Sequence, residues 1–320
     1  MKVVVDAFGC DHPEEFVKGI PEALRQIDDV TIVACGSKEK IEEYLSGEEF
    51  DRARLEILNA TEVITNSDSP LRALRQKKDS SLVVAYNALK NDDDTVALIS
   101  AGNTGAVIVG SVLLLGRKEG VEKPALSTIL PNVKGTVTCL VDCGASVDCR
   151  AVHLLKFAEH GSEFMKKTYG IENPRVALLS VGTEDEKGNA LTKETFALLK
   201  DSGLNFVGNM EAKTVLSGDV DVIVTDGFAG NVVLKSVEGV SSAVVRIMAG
   251  LLKKNAPQGA DLSFVKKSMG DFMSMYDFNS LGGAVLLGVN KPIVKAHGSA
   301  NDKTLVSTVK QAIQMYKGVK

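Results

Sequence analysis

Residues 219–235, with the sequence DVDVIVTDGFAGNVVLK, change from strand-like to helix-like across a short turn. The apolar, β-branched start has the length of a buried parallel strand. Gly227 and Gly230 let the backbone approach a ligand closely, and a helix beginning at Asn231 presents free N–H groups and the positive end of its dipole. The stretch therefore predicts an α/β fold with an anion site, with Lys235 about one turn into the helix.

A second stretch has the same order of strand, glycine turn and helix. Residues 95–99 form the predicted strand, and Gly102 and Gly105 lie in the turn that follows. Each stretch alone is also consistent with a plain tight connection between a strand and a helix. The two together, with Asn and Ser or Thr at both turns, favour a site for a phosphate-type anion.

Strands and helices alternate along the rest of the chain, which predicts a mainly parallel sheet covered by helices on both faces. The predicted strands are 2–5, 30–34, 54–58, 95–99, 125–130, 136–141, 175–180, 205–207, 220–224 and 292–295. No GxGxxG sequence occurs, so a dinucleotide site lacks its fingerprint.

Composition narrows the function classes. A net charge of -4 over 320 residues argues against a nucleic-acid partner. Asp6 interrupts the only apolar run near the N-terminus, and the longest apolar stretch, 106–116, is too short to span a bilayer. The cysteines, including Cys139, Cys143 and Cys149, lack zinc spacing. We therefore expect a cytosolic protein with reduced thiols and neither metal nor cofactor.

Polar residues cluster after two predicted strands. Asp6, Asp11 and His12 follow the first strand, and Asp142 follows the strand at 136–141. Open α/β sheets bind ligands at the carboxyl ends of their strands, so these side chains are candidate ligand contacts. The alternative for Asp11 is that it only caps the helix that begins at Pro13.

A basic cluster at residues 72–78 precedes Ser80 and Ser81, which begin another predicted helix. Lys78 and its neighbours are either a solvated face or a set of side chains that reaches a phosphate, and the sequence leaves both open.

The helix from Asn231 carries valine, isoleucine and leucine at 4-3-4-3-4 spacing, from Val233 to Leu251. A following helix carries Val265, Met269, Phe272 and Met273 on one face. Residues 231–276 are thus predicted to form a protruding helix pair with an apolar seam. The seam is either a homodimer interface or a face that packs on its own domain.

Seven motifs occur in order along the chain: VDAFGCDH (5–12), KKDSS (77–81), SAGNTGA (100–106), VDCGASVD (141–148), TDGFAGNVVLK (225–235), LGGAVLLGV (281–289) and AHGSA (296–300). With them the chain resembles the PlsX-type phosphate acyltransferases, which convert acyl-acyl carrier protein and inorganic phosphate into acyl phosphate for phospholipid synthesis. The resemblance implies one domain, 1–320, with a three-layer α/β/α sheet related to phosphotransacetylases and isopropylmalate dehydrogenase, in a homodimer.

Such a reaction needs no enzyme nucleophile, because phosphate attacks the thioester itself; it needs an anion site and donors for the oxyanion. We assign catalytic roles to Asn103, Asn231, Lys235 and His297. His297 would protonate the leaving thiolate or orient phosphate, unless it is only a loop residue that caps a helix. The predicted substrate-binding residues are Asp6, Gly9, Asp11, His12, Lys78, Ser80, Ser81, Ser100, Gly102, Thr104, Gly105, Asp142, Gly144, Ala145, Asp226, Gly227, Gly230 and Gly298.

The resemblance also implies partners. Acyl carrier protein is acidic and would meet a basic patch, for which Arg72–Lys78, Arg117–Lys118 and Lys253–Lys254 are candidates. A membrane glycerol-3-phosphate acyltransferase would take the product. Rival functions are a short-chain phosphotransacetylase that uses acyl-coenzyme A and a phosphate-binding scaffold without turnover.

The chain departs from the family pattern at three places. Cys10 stands where a second glycine is usual, Thr183 and Asp185 lie in a loop usually richer in Glu, and the tip 255–261 is polar where an apolar tip is usual. The polar tip predicts only weak, salt-sensitive contact with anionic membranes.

Overall fold

The computed structural model describes residues 1–257, 261–275 and 282–319. The middle of the predicted tip, 258–260, the last residue of the predicted helix pair and the first residue of the motif at 281–289 lie outside these ranges. Within them, one sheet of eleven strands lies between two layers of helices. This is the predicted three-layer α/β/α fold.

The strands follow one another in the order β3-β2-β1-β4-β11-β10-β5-β6-β9-β7-β8 across the sheet. Their bounds are β1 Lys2–Asp6, β2 Thr31–Gly36, β3 Leu55–Asn59, β4 Thr95–Ser100, β5 Ala125–Pro131, β6 Val137–Val141, β7 Val176–Ser180, β8 Phe206–Glu211, β9 Val222–Val224, β10 Ala284–Leu287 and β11 Ile293–Lys295.

The helices are α1 Pro13–Val17, α2 Gly19–Gln26, α3 Lys38–Tyr44, α4 Pro70–Gln76, α5 Ser81–Asn91, α6 Thr104–Gly110, α7 Ala151–Tyr169, α8 Ala190–Lys200, α9 Gly227–Asn255, α10 Ser263–Met275 and α11 Asp302–Val319. Short 3-10 or π turns occupy 52–54, 111–115 and 212–214. Helices α1, α2, α7, α8 and α11 cover one face of the sheet. Helices α4, α5 and α6 and the start of α9 cover the other.

The sheet reverses direction in its middle, a feature absent from the predicted, mainly parallel sheet. Strand β10 is antiparallel to both β11 and β5, and β5 is antiparallel to β6. Because three antiparallel steps separate them, the parallel block that contains β1, β4 and β11 runs opposite to the block that contains β6 and β9. The polar residues after β1 and after β6 therefore lie at opposite ends of the sheet rather than along one edge.

The reversal still permits a shared site, because the central strands are short. Strands β9 and β11 have three residues each and β10 has four. At about 3.3 Å per residue, such strands span only about 10–13 Å. Loops at opposite ends of the sheet centre can therefore line one cavity. Strand β10 was not predicted, because its apolar run has only four residues and directly follows Gly282 and Gly283.

Helix α9 is 29 residues long and begins at Gly227, one turn earlier than predicted. Asp226 is its N-cap and accepts a hydrogen bond from the Ala229 N–H at 2.9 Å. Lys235 consequently lies two turns into the helix rather than one. Beyond Val237 the helix leaves the core and packs with α10 as a protruding pair.

Candidate active site

A cavity of about 760 Å³ lies over the middle of the sheet, between the first turns of α9 and the loop that follows β11. Its floor includes Leu126 and Thr128 of β5 and Ala284 of β10. These central strands are where the two parallel blocks meet. A cavity of this size is typical of a site for an organic substrate.

The walls of the cavity differ in character. Thr104 of α6 and Lys295, His297 and Ser299 around the end of β11 supply polar groups. Apolar side chains come from other elements: α9 supplies Phe228 and Leu234, α10 supplies Met273, and the loop after β6 supplies Val147. The cavity therefore offers both a polar surface and an apolar one to a substrate.

Asn231 and Lys235 lie one turn apart on α9, and both line the cavity. Gly144 faces Asn231, and a Cβ built on it would lie in ordinary van der Waals contact, 3.7 Å from the Asn231 Oδ1 atom. The Lys235 ammonium forms an ion pair with Glu238 at 2.7 Å. Glu238 lines the cavity as well, so α9 presents an amide, an ammonium and a carboxylate to it.

The N-terminus of α9 is less open to an anion than the sequence indicated. The N–H of Gly227 donates to the Ser146 carbonyl at 2.8 Å, and the N–H of Gly230 donates to the Asp226 carbonyl at 3.0 Å. A Cβ on Gly230 would lie 1.9 Å from the Asp142 carbonyl oxygen. The two glycines therefore allow α9 to pack against the loop after β6, although Gly227 also lines the cavity.

Asp142 organises that loop. Its buried carboxylate accepts four backbone hydrogen bonds, from Leu126, Gly144, Ala145 and Ser146, at 2.6–3.0 Å. Burial raises the pKa of Asp142 to about 6, and these N–H donors oppose the rise. These hydrogen bonds hold Gly144 beside Asn231.

Asp6 has a similar place under the turns that follow β1 and β4. Its Oδ2 atom accepts a hydrogen bond from the Ser100 hydroxyl at 2.7 Å. Burial raises the pKa of Asp6, and the hydroxyls of Ser81 and Ser100 oppose that rise. A Cβ on Gly9 would lie 2.9 Å from the Gly102 Cα atom, so these two glycines let the turns touch.

Asn103 is occupied by local contacts. Its Oδ1 atom caps α6 by accepting from the Ala106 N–H at 3.0 Å, and its amide group donates to the Thr65 carbonyl at 3.1 Å. Gly105 packs against Pro70, where a Cβ would lie 2.6 Å from the Pro70 Cγ atom. Among the α6 residues predicted for the site, the structure places Thr104 in the cavity wall.

The turn after β1 contacts the loop after β11. The Asp11 N–H donates to the Gly298 carbonyl at 2.9 Å, and a Cβ on Gly298 would lie 2.8 Å from an Asp11 carboxylate oxygen. His12 is exposed beside this contact. Cys10 is buried, so the turn accommodates its side chain inward.

The basic cluster at residues 72–78 and the serines that follow it do not line the cavity. The Lys78 ammonium donates to the Leu74 carbonyl at 3.1 Å, and the Ser80 hydroxyl donates to the Lys77 carbonyl at 2.8 Å. Both contacts are local to the junction of α4 and α5. Within the described chain, the predicted site residues that line the cavity are Thr104, Gly144, Gly227, Asn231, Lys235 and His297.

His297 is exposed in the loop after β11. Its Nδ1 atom accepts from the Ser299 N–H at 3.3 Å and lies 2.8 Å from the Ser299 hydroxyl oxygen. In the neutral ring the proton is then on Nε2, which makes His297 a hydrogen-bond donor to a ligand. Protonation of a leaving group would require the imidazolium form.

Lys295 also lines the cavity, although it is not among the site residues predicted from the sequence. Its side chain is buried, and burial lowers its pKa to about 8. A lone lysine at the end of a short apolar strand carries no sequence signal of burial, because lysines end many strands at the solvent.

Relatives with established names match the chain over nearly all its length. The family model for the "Fatty acid synthesis protein" family matches residues 1–318. A phosphate acyltransferase from Bacillus cereus is 42% identical over 316 residues, which are 98% of this chain and 94% of that one. A phosphate acyltransferase from Clostridioides difficile is 40% identical over 319 residues, which are 99% of this chain and 93% of that one.

Solved structures show the same fold at low sequence identity. A phosphotransacetylase from Streptococcus pyogenes superposes with a TM-score of 0.64 at 14% identity, covering 100% of this chain and 94% of that one. A phosphotransacetylase from Staphylococcus aureus gives a TM-score of 0.60 at 15% identity, covering 99% and 93%. The predicted likeness to the phosphotransacetylase fold is confirmed.

Proposed function

This chain belongs to the fatty acid synthesis protein family of phosphate acyltransferases, and we propose that it takes a long-chain acyl group from acyl carrier protein. The enzyme transfers an acyl group to phosphate in fatty acid and phospholipid synthesis. A phosphate oxygen attacks the thioester carbonyl carbon, the C–S bond breaks, and its electron pair leaves with the carrier sulfur. The products are acyl phosphate and the carrier thiol, which takes up the proton that phosphate loses.

Asn231 and Lys235 are proposed to stabilise the oxyanion that forms on the thioester carbonyl. Asn231 lies beside Gly144 near the start of α9, and its amide is exposed to the cavity. Lys235 adds positive charge to the same wall. Donors that are already oriented toward developing charge lower the barrier without a cost of reorganisation.

His297 is proposed to donate its Nε2 proton in a hydrogen bond to phosphate, which aligns the attacking oxygen. Thr104 adds a hydroxyl to the same wall. The other predicted residues are proposed to shape the site from behind. The turns after β1 and β4 are joined by Asp6 with Ser81, Ser100, Gly9 and Gly102. The turn after β1 is joined to the loop after β11 by Asp11, His12 and Gly298. Helix α9 is positioned by Asp142 with Ala145, Asp226 and Gly230, and the ends of α4, α5 and α6 are fixed by Asn103, Gly105, Lys78 and Ser80.

The mixed lining of the cavity supports this proposal. Phosphate requires polar, cationic groups, and a fatty acyl chain requires apolar surface; the cavity combines Lys235, Lys295 and His297 with Phe228 and Met273. A short acetyl group would leave the apolar side chains without a partner.

The donor comparison tests the proposal. We expect acyl phosphate from long-chain acyl-acyl carrier protein and phosphate, with kcat/KM far above that for acetyl-coenzyme A. Equal or better use of acetyl-coenzyme A would favour the alternative of a short-chain phosphotransacetylase. Phosphate binding without turnover on either donor would favour the scaffold alternative.

The carrier protein is proposed to dock by charge. Arg72, Arg75 and Lys78 are exposed on and just after α4, whereas Lys77 is paired with Asp68 at 2.6 Å. The exposed members, together with Arg117–Lys118 and Lys253–Lys254, remain candidates for the acidic partner. The acyl phosphate product would pass to a membrane glycerol-3-phosphate acyltransferase.

Contact with the membrane surface is proposed at the tip of the α9–α10 pair. Within the described ranges, no helix is long and apolar enough to cross a bilayer. Lys253, Lys254, Lys266 and Lys267 are exposed around the tip. Phe264, next to the tip in sequence, is 69% exposed, so the tip region is less polar than 255–261 alone indicates.

We expect weak binding to anionic vesicles that salt abolishes and little binding to neutral vesicles, because each lysine near an anionic surface contributes about 1 kcal/mol. Replacing Lys253 and Lys254 with glutamate should remove the binding in a vesicle sedimentation assay. Replacing Lys187 and Lys193 with glutamate is the charge-matched control, because these lysines are exposed and distant from the tip in sequence. Tight binding to neutral vesicles at high salt would contradict an electrostatic contact.

A further inference from the structure

Lys295 places a buried ammonium group in the cavity wall. The side chain is 8% exposed, and its Nζ atom donates to the adjacent Ala296 carbonyl. An ammonium group has three donors. In the part of the chain that the structure describes, Ala296 supplies the one acceptor within hydrogen-bond distance of Nζ. Two donors of a buried cation are thus left for a ligand in the cavity.

Charged groups from several elements face Lys295. Asp6 at the end of β1 and Asp11 in the following turn favour its charged form, and Lys235 of α9 opposes it. Cys10 faces it as well, with a thiol whose pKa burial raises to about 12. Lys295 therefore interacts electrostatically with the turn after β1, which does not line the cavity, and with Lys235, which does.

The competing anion position, at the start of α9, is largely filled. The N–H groups of Gly227 and Gly230 donate to carbonyls, and the N–H of Ala229 donates to the Asp226 cap. Lys295 shares its part of the cavity with Thr104, His297 and Ser299, which can all donate to an oxyanion. An anion therefore finds its charge-assisted donors around Lys295.

We propose that Lys295 is the cation that binds the phosphate substrate, in the part of the cavity formed by the start of α6 and the loop after β11. The proposal deepens the proposed function and rests on it for the identity of the anion. Phosphate bound here shares the cavity with Asn231, which is the donor proposed for the thioester oxyanion. A phosphate dianion beside Lys295 favours the charged ammonium and so opposes the effect of burial on its pKa.

The first test replaces Lys295 with methionine. We expect KM for phosphate to rise about 10- to 100-fold, which corresponds to the loss of hydrogen bonds from a charged donor, while KM for the acyl donor changes little. Lys291→Met is the matched control, because Lys291 also inserts its ammonium among backbone carbonyls, those of Leu89, Asp92 and Thr95, but outside this cavity. It should leave both KM values near wild type.

The second test uses Lys295→Arg and pH. In the wild type, phosphate affinity should fall as pH rises through about 8, because Lys295 loses its proton there. Arginine stays charged, so the fall should move to higher pH. Asp6, Asp11, Cys10, Lys235, His297 and phosphate itself are common to both enzymes. The difference between the two profiles therefore reports on residue 295.

A direct measurement separates this proposal from the proposed function. Inorganic phosphate alone should raise the melting temperature of the wild type and of Lys291→Met, but not that of Lys295→Met, whatever the acyl donor is. A folded Lys295→Met variant with wild-type phosphate KM and melting shift would overturn the assignment. If that variant does not fold, an alkaline limb in Lys295→Arg identical to that of the wild type would overturn it. A wild type that binds phosphate through Lys295 but makes no acyl phosphate would refute the function alone.

Discussion

Replacing Asn231 with alanine is expected to lower kcat on the order of 100-fold or more, because the change removes a preorganised donor to the oxyanion. Lys235→Ala is expected to lower kcat to a similar degree. Both side chains are exposed to the cavity, so the fold should survive both changes. Steady-state acyl phosphate formation, with both substrates saturating, measures the effect.

Two further variants make the test specific. Asn231→Asp keeps the size of the side chain but removes its amide donor, so it should be as impaired as the alanine variant. Ser236→Ala alters the neighbour of Lys235 in α9, which is exposed and not part of the cavity wall, and should keep wild-type turnover. Near-normal kcat in both Asn231 variants would place the oxyanion donors elsewhere.

Replacing Val240 and Val244 together with glutamate is expected to convert a dimer into a monomer. Val233 and Val237, at the start of the predicted seam, are half-buried and pack against the core of their own domain. Further along α9, Val240 is 61% exposed and Ile247 is 61% exposed. Monomeric proteins rarely expose a contiguous apolar face of this kind, so we propose that a second copy of the chain covers it.

Sedimentation velocity at micromolar concentration measures the change. The wild type should sediment as a dimer, and the double variant as a monomer, because four glutamates would be buried at a two-fold interface. Glutamates at Val133 and Val181, which are even more exposed and are distant from α9 in sequence, are the matched control and should leave the dimer intact. A wild type that sediments as a monomer would contradict the proposed interface.

The alternation of strands and helices was readable from the sequence, because parallel strands are apolar throughout and their turns carry glycine. Ten of the strands lie close to their predicted positions. The direction of the central strands was not readable, since β5 is as apolar as a parallel strand and only its pairing with β10 and β6 reveals that it is antiparallel. Hydrophobic pattern reports burial and not strand direction.

Only part of the cavity lining could be predicted, because sequence patterns indicate close approach without identifying the partner. Glycine and asparagine at a turn indicate close backbone approach, but the sequence does not say whether a ligand or another segment is approached. At Gly230 it is the Asp142 carbonyl, and at Gly105 it is Pro70. Lys295 shows the converse, because the charged groups that act on it, Asp6, Asp11 and Lys235, are all distant from it in sequence.

We propose that phosphate held in this cavity attacks a carrier-bound thioester directly. The most direct measurement incubates the purified chain with long-chain acyl-acyl carrier protein and isotope-labelled phosphate, and follows labelled acyl phosphate and free carrier thiol together. We predict that the two products form in equal amounts, only when phosphate is present, and that Asn231→Ala slows both equally. Release of carrier thiol without phosphate, or free fatty acid in place of acyl phosphate, would contradict the claim.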